Sequence, residues 1–470
     1  MTTTNHADDT AAKAARDTLS QLRERIRARL ASGDDPVGAL VRAEARMDGL
    51  APLNWLHAQQ GQTHYYWADR DGEFEMAGIG EADILVPEAG INLAGLFAHM
   101  RRRLSLEWPN LRYYGGFRFS AGSEIHRRWR NFTAYRFIIP RVEVVRQGKK
   151  CWLACNVRAG SPAANGAALQ ELARLIAGMA FPASPLPCPL PPIIGRTDLP
   201  DRAGWDALVG RALEAFAHHQ LEKVVLARET EFQFDCDVPL DPVGMLRRLL
   251  RHTNRSYEFC FHPTPTRAFL GASPERLFHR RNVYLESEAL AGTRSRGGTD
   301  TMDKALGNEL LSDDKELREH RFVVRNLREH FKRFCVTMNY DRVPSLRRLR
   351  NVQHLYTYME GILKNHDADA ALVEALHPTP AVGGVPRDRA LAWLAANEPF
   401  DRGVYAAPVG WVSFDESEFC VGIRSGLIEG NTLALYSGAG IVPGSSAAAE
   451  WDEIENKMSN FLEALYDGAP

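Results

Sequence analysis

Two glutamate pairs, Glu316/Glu319 and Glu450/Glu453, constrain this chain more than any other feature. The first lies in DDKELREH (313–320), the second in EWDEIENK (450–457). Spacing of i, i+3 puts both carboxylates of a pair on one face of a helix. Used together, the pairs require a fold that brings two helices from distant parts of the chain to one point. Four acidic oxygen donors there suit a hard cation such as Mg²⁺, which takes one or two carboxylates directly and keeps several waters. Taken alone, each pair also reads as the solvated face of a charged helix, so the surrounding sequence has to decide.

At 470 residues the chain can bury a large core. Its length suggests two or three units, with one intertwined catalytic domain as the alternative. A formal charge of −2 with 25% charged residues offers no basic field for nucleic acid and no polyacidic tail. Local clusters such as Arg101–Arg103 and Arg347, Arg348 and Arg350 read as solvated faces. The seven cysteines (151, 155, 188, 236, 260, 335 and 420) include no CxxC pair and read as reduced thiols of a cytoplasmic protein. The polar first residues lack a signal peptide's apolar stretch, and no run approaches the roughly 18 apolar residues that span a bilayer. A soluble protein without nucleic-acid or membrane partners is expected.

Residues 1–35 read as a detachable helical extension, with Leu19, Leu22, Ile26 and Leu30 at helical spacing and Gly33-Asp34-Asp35-Pro36 as the stop. A β-rich half follows (36–200), carrying aromatic and β-branched runs such as HYYWA, RYYGGFRF and AYRFIIPRVEVV. The proline-dense stretch 182–200 is the candidate linker to residues 201–470. There, strand-like runs alternate with helices. One helix follows Asp313, in capping-box register with Glu316, and its expected buried stripe is Leu317, Val324, Leu327, Phe331 and Phe334. The other begins near Ser446 and should bury Trp451, Ile454, Met458, Phe461 and Leu465. Both readings leave the glutamates at or beside the stripe's border.

Ten ordered blocks between about 205 and 467 are similar to those of the chorismate-binding enzymes. They are LEKVVLAR (221–228), GASPERL (271–277), ALAGTRSRG (289–297), DKELREH (314–320), VQHL (352–355), HPTPAVGG (377–384), EPFDR (398–402), EFCVGIR (418–424), SGAGIVPGS (437–445) and EWDEIENK. That family comprises isochorismate synthases, salicylate synthases and the large subunits of anthranilate and aminodeoxychorismate synthases. The resemblance implies an α+β fold in α/β/β/α layers, with large antiparallel sheets packed together and helices outside, forming one compact unit.

The resemblance also implies roles. Glu319 and Glu453 would ligate Mg²⁺, with Glu316 and Glu450 holding its waters. Lys223 alternates with Val225 and Ala227 on one strand face and should point inward. It stands where water-using branches carry lysine and ammonia-using relatives carry glutamine, so it is the candidate base, made competent if burial lowers its pKa. No glutaminase partner is then expected. Glu275 in SPERL is the candidate acid for a departing hydroxyl, which needs a raised pKa. Arg424 could fork the carboxylate of the substrate's enolpyruvyl arm. Gly438 and Gly440 would open backbone N–H groups to an anion. Lys457, one turn after Glu453, could reach the same anion, and Gly292 and Thr293 offer main-chain contacts. Tyr405 would touch the enolpyruvyl carboxylate, and His354 would lie against the ring. Branches that go on to eliminate pyruvate carry threonine where this chain has Ala381. Lys223 and Ala381 together indicate a chain that stops at isochorismate, with a salicylate synthase or a non-catalytic chorismate sensor as alternatives.

Overall fold

The computed structural model describes residues 4–467 except 60, 62, 89–91, 121–124 and 183, with side chains from Ala12 onward. Residues 1–3 of the expected N-terminal helix and Ala183 of the proline-dense stretch lie outside the described residues. The fold is α+β, and every strand pairing among the described residues is antiparallel. The long strand Tyr135–Gln147 is the hub. Phe137, Ile138, Ile139, Val142, Val144 and Val145 are all buried, on both faces of the strand, and Arg141 and Glu143 are buried among them.

Two arms leave this hub. From one edge the order is Phe74–Leu85, His64–Ala68, Tyr257–Thr264, Arg267–Ser273, Ser425–Glu429, Thr432–Ile441 and Lys223–Phe234. From the other edge, at Tyr135–Ile138, it is Tyr113–Phe117, Pro408–Val412, Glu416–Val421, Arg276–Arg281, Tyr284–Ser295 and Val352–Leu363. The rest of that edge takes Lys150–Arg158 and then Leu40–Arg46. Strands of residues 36–200 are thus hydrogen-bonded directly to strands of residues 201–470. Aromatic clusters fill the interior, among them Phe117, Phe137, Phe278 and Phe419, with ring centroids 5.1–6.3 Å apart. Such pairs add about 0.5–1.5 kcal/mol each beyond their area burial.

Four expectations need correction. The N-terminal helix Thr4–Ser32 is docked rather than detachable. Leu19, Leu22 and Ile26 are fully buried against Leu40–Arg46, Lys150–Arg158 and the helix Pro162–Gly178, because an apolar stripe must be covered. The proline-dense stretch is not all linker: its last part, Ile193–Leu199, is free of proline and pairs with Lys223–Phe234. In the helix Asp314–Phe334 the buried stripe is Glu316, His320, Val323, Leu327 and Phe331, while Leu317, Val324 and Phe334 are only half-buried. In the helix Ala447–Tyr466 it is Glu450, Ile454, Met458, Phe461, Ala464 and Leu465. Trp451 stays half-buried, with the Arg228 guanidinium 3.8 Å from its ring centroid. Glu316 and Glu450 therefore head the buried stripes instead of flanking them. No helix among the described residues is long and apolar enough to cross a membrane.

Candidate active site

A cavity of about 650 Å³, counting the part open to solvent, lies where the two arms face each other. Val225, Ser437 and Gly438 of the first arm line it, as do Leu290–Thr293 and His354 of the second and Glu319, Glu453 and Lys457 from the two helices. Pro274, Glu275, Ala381, Val382, Tyr405, Ile423 and Arg424 complete the wall. Every candidate site residue except Lys223, Gly440, Glu316 and Glu450 is on this surface.

Those four stand immediately behind it. Lys223 is fully buried at the start of its strand, and its Nζ donates to Glu319 Oε1 at 2.8 Å. Gly440 makes room for that bond: a Cβ there would stand 2.5 Å from Glu319 Oε1 and 3.1 Å from Lys223 Cε. The reason for glycine at 440 is thus helix-to-strand contact, and the strand exposes Gly438 rather than Gly440 to the cavity. Glu316 does not close a capping box. Asp313 caps the helix through Lys315 N and Glu316 N, while Glu316 Oε2 accepts the N–H of Thr293 at 3.0 Å. That contact falls at a β-bulge where Gly292 has φ of +82°, and a Cβ at 292 would come within 3.2 Å of Glu316 Oε2.

The four carboxylates are close enough to perturb one another. Burial and the charges of Glu319 and Glu453 push Glu316 up to about 7, and burial with Glu453 raises Glu450. Against the upward pull of burial, the Lys223 ammonium holds Glu319 below its ordinary range. Lys315 pairs with Glu450 at 2.9 Å and Lys457 with Glu453 at 2.5 Å. Among the described residues no three His, Cys, Asp or Glu side chains are gathered closely enough to chelate an ion.

Glu275 differs from all of these. It is 3% exposed and has no ion pair among the described residues. Burial, helped by the Glu288 carboxylate and opposed by Lys223 and Lys457, pushes it up to about 8. A carboxyl in this state is a proton donor at neutral pH.

The rest of the wall is cationic or hydrogen-bonding. Arg424 holds φ of +51°, an unfavourable conformation for arginine, directly before the strand Ser425–Glu429 and on the cavity wall. Its guanidinium donates to the Lys457 carbonyl, and burial lowers its pKa to about 10. Lys457 Nζ reaches the Gly438 carbonyl at 2.9 Å. Tyr405 Oη would be 3.0 Å from a Cβ at Gly438, so the tyrosine and the strand need glycine there. His354 Nδ1 lies 3.0 Å from Thr293 Oγ1 and 3.3 Å from the Gly292 carbonyl. Burial, then Arg424 and Lys457, lowers His354 to about 3, so it is neutral, and its buried Nε2 has no partner among the described residues. Ala381 N donates to Thr379 Oγ1 at 3.2 Å, and the pair in EPFDR ties the next residue to the Lys223 strand: Arg402 donates to the carbonyls of Val382 (2.8 Å) and Val225 (2.6 Å), while Glu398 accepts from Ala227 N at 2.9 Å.

The sequence reading missed the apolar wall, made of Leu290, Ala291, Val382 and Ile423, and it missed Ser437. The Ser437 hydroxyl is buried on the cavity with no partner among the described residues. Its position directly before Gly438 in SGAGIV was the available signal.

A family model described as "Chorismate binding enzyme" matches residues 27–466. The chain is 37% identical over 449 residues to isochorismate synthase 2, chloroplastic, of Arabidopsis thaliana, covering 88% of this chain and 78% of that protein. It is 34% identical over 422 residues to the isochorismate synthase MenF of Escherichia coli strain K12, covering 89% and 91%. Its fold is similar to the solved structure of the menaquinone-specific isochorismate synthase MenF from Escherichia coli, with a TM-score of 0.82 and 31% identity over 95% of this chain and all of the other.

Proposed function

This chain belongs to the chorismate-binding enzymes, and on that premise we propose that it is an isochorismate synthase, an isomerase that converts chorismate into isochorismate. The reaction adds water at C2 and expels the C4 hydroxyl as the ring double bonds shift between them. The observation that carries the reading is Glu275, a buried carboxyl with no ion pair among the described residues, pushed up to about 8 by burial on the wall of a cavity lined by Arg424 and Lys457. It would give its proton to the leaving hydroxyl. Lys223 would take a proton from the attacking water once its amine is neutral, its own proton having passed to Glu319 Oε1, the carboxylate oxygen 2.8 Å away. Arg424, Lys457 and the Gly438 main chain would hold the substrate's carboxylates, with Tyr405 and Ser437 beside them. Neutral His354 would offer Nε2 as an acceptor near the ring oxygens, next to Gly292 and Thr293.

The chemistry of the donors, rather than their present spacing, suits Mg²⁺. All four helical side chains are hard oxygen donors, and Glu316 and Glu450 are raised by burial first and then by the charge of neighbouring carboxylates, a charge that a cation would offset. Glu319 and Glu453 would hold the ion, with Glu316 and Glu450 behind them. Bound there, it would supply positive charge for the ring carboxylate and orient the substrate.

Ala381 favours isochorismate over salicylate as the product, because the position that eliminating branches fill with threonine has no hydroxyl. Water as nucleophile needs no glutaminase subunit. The free cysteines, all buried but Cys236, fit a cytoplasmic location. The division into 1–35, 36–200 and 201–470 describes regions of one unit, supported by the pairing of His64–Ala68 with Tyr257–Thr264. The test is a chromatographic product profile from protein, chorismate, Mg²⁺ and ammonium, with a chelator control. Isochorismate alone, lost on chelation, is expected. Salicylate with pyruvate would overturn the Ala381 argument, anthranilate would overturn Lys223, and no product would leave a chorismate-binding sensor.

A further inference from the structure

Glu275 occupies a two-residue break, Pro274–Glu275, between the strands Arg267–Ser273 and Arg276–Arg281. One buried ion pair grips both sides of that break. Arg70 Nη2 donates to Glu288 Oε2 at 2.6 Å, and Arg70 Nη1 donates to the Pro274 carbonyl at 3.1 Å. Glu288 Oε1 accepts the backbone N–H of Arg276 at 3.0 Å. The peptide groups before and after Glu275 are thus both tied to one guanidinium–carboxylate fork. The side chains of Arg70 and Glu288 are 4% and 0% exposed. Arg70 lies between His64–Ala68 and Phe74–Leu85 of the first arm, and Glu288 belongs to Tyr284–Ser295 of the second, so the fork also joins the arms at this point.

We propose that Arg70 and Glu288 are positioning residues for Glu275, holding the backbone on both sides of it so that its carboxyl faces the substrate cavity. The inference rests on the reading of Glu275 as proton donor. A buried ion pair returns little net stability compared with apolar residues of similar volume, so stability alone does not account for keeping one here. What an apolar pair could not supply is the acceptor for Arg276 N, the donor for Pro274 O, and a fixed negative charge near Glu275. The charged groups around Glu275 are Glu288, which opposes its ionisation, and Lys223 and Lys457, which favour it. Around the fork itself stand Arg276, which bonds Tyr257 Oη at 2.8 Å, Glu418 on the same hydroxyl at 2.8 Å, and Arg347 at 3.9 Å from Glu288.

The test is the pH profile of kcat and kcat/KM for isochorismate formation in the wild type, Glu275→Gln, Arg70→Lys and Glu288→Gln. Glu275→Gln assigns the alkaline limb, which should vanish from the residual turnover. If it persists, the proton-donor reading of Glu275 fails, and this proposal with it. With the limb assigned, Glu288→Gln should move it down by about one pH unit, since an anion beside the acid is gone. Arg70→Lys keeps the charge and loses the fork, so it should lower kcat by about 10- to 100-fold with KM and the limb unchanged. An unmoved limb in Glu288→Gln, or wild-type kcat in Arg70→Lys, overturns the positioning role while leaving Glu275 as the acid. If Glu288→Gln does not fold, the double variant Arg70→Met/Glu288→Leu is read in the same way, because it leaves neither charge unpaired.

Discussion

Replacing Glu275 with glutamine should make the protein more stable and nearly inactive, and the stability gain should grow with pH. The unfolded chain ionises a glutamate near 4.5, whereas folded Glu275 holds its proton until about 8. Between those values the folded state binds more protons than the unfolded state, so this group's contribution is full below pH 4.5 and falls as pH rises through 8. At 1.36 kcal/mol per pH unit, the wild type forfeits about 3 kcal/mol at pH 7 and at most about 5 kcal/mol above pH 8. Glutamine has no proton to lose, so Glu275→Gln escapes that cost. Its own expense, a buried amide seeking partners, is the same at every pH. Urea unfolding of both proteins at pH 5, 7 and 8.5 isolates the effect as the change in their stability difference. Turnover should meanwhile drop about 10²- to 10⁴-fold, the usual contribution of a positioned general acid. A stability difference that does not change from pH 5 to 8.5 would refute the picture of a buried carboxyl kept neutral for catalysis.

Four further outcomes are expected. Lys223→Ala should lower kcat about 10²- to 10⁴-fold while chorismate affinity, measured by calorimetric titration, stays within a few-fold; wild-type turnover would remove Lys223 from the mechanism. Gly440→Ala places a methyl 2.5 Å from Glu319 Oε1 and should cost about 100-fold in kcat with an unchanged far-UV circular dichroism spectrum, whereas full activity would show that the Lys223–Glu319 arrangement is dispensable. Ser437→Ala should raise KM about 10-fold at constant kcat, the value of one hydrogen bond to a charged group, and an unchanged KM would mean that the orphaned hydroxyl does not meet substrate. Ala381→Thr should raise the ratio of pyruvate to isochorismate in a coupled assay; a constant ratio would show that position 381 does not control elimination.

The residues that gather at the cavity were legible because the resemblance rests on side-chain types at fixed spacing. Glu275, Arg424, Lys457 and His354 each stand in a short block, and the blocks converge on one cavity. The apolar wall was not legible, since Leu290, Ala291, Val382 and Ile423 are the same residue types that fill the core, and only tertiary structure says which face opens. Gly440 could be seen as a special position but not explained, because its missing Cβ answers to a helix side chain far away in sequence. Arg70 had no local signal at all. It lies in the half whose resemblance to the family is loose, and its role exists only once His64–Ala68 pairs with Tyr257–Thr264 and brings the turn beside Pro274.

The misplaced helix stripes are the more instructive difference. Periodicity of apolar residues put Leu317, Val324 and Trp451 inside and the glutamates at the border. The protein instead gives the first buried position of each stripe to a carboxylate, Glu316 in one helix and Glu450 in the other. Burying an ion costs several kcal/mol after relaxation unless partners offset it. Glu450 has a lysine partner at 2.9 Å and Glu316 a backbone N–H at 3.0 Å, yet both still sit above their ordinary pKa. Two helices thus break the same packing rule at the same end, each one turn before a glutamate that lines the cavity, which is the arrangement the proposed cation site would need. Local rules are expected to fail where function outweighs stability, and here the failures fall on Glu316 and Glu450, beside the Glu319 and Glu453 that line the cavity.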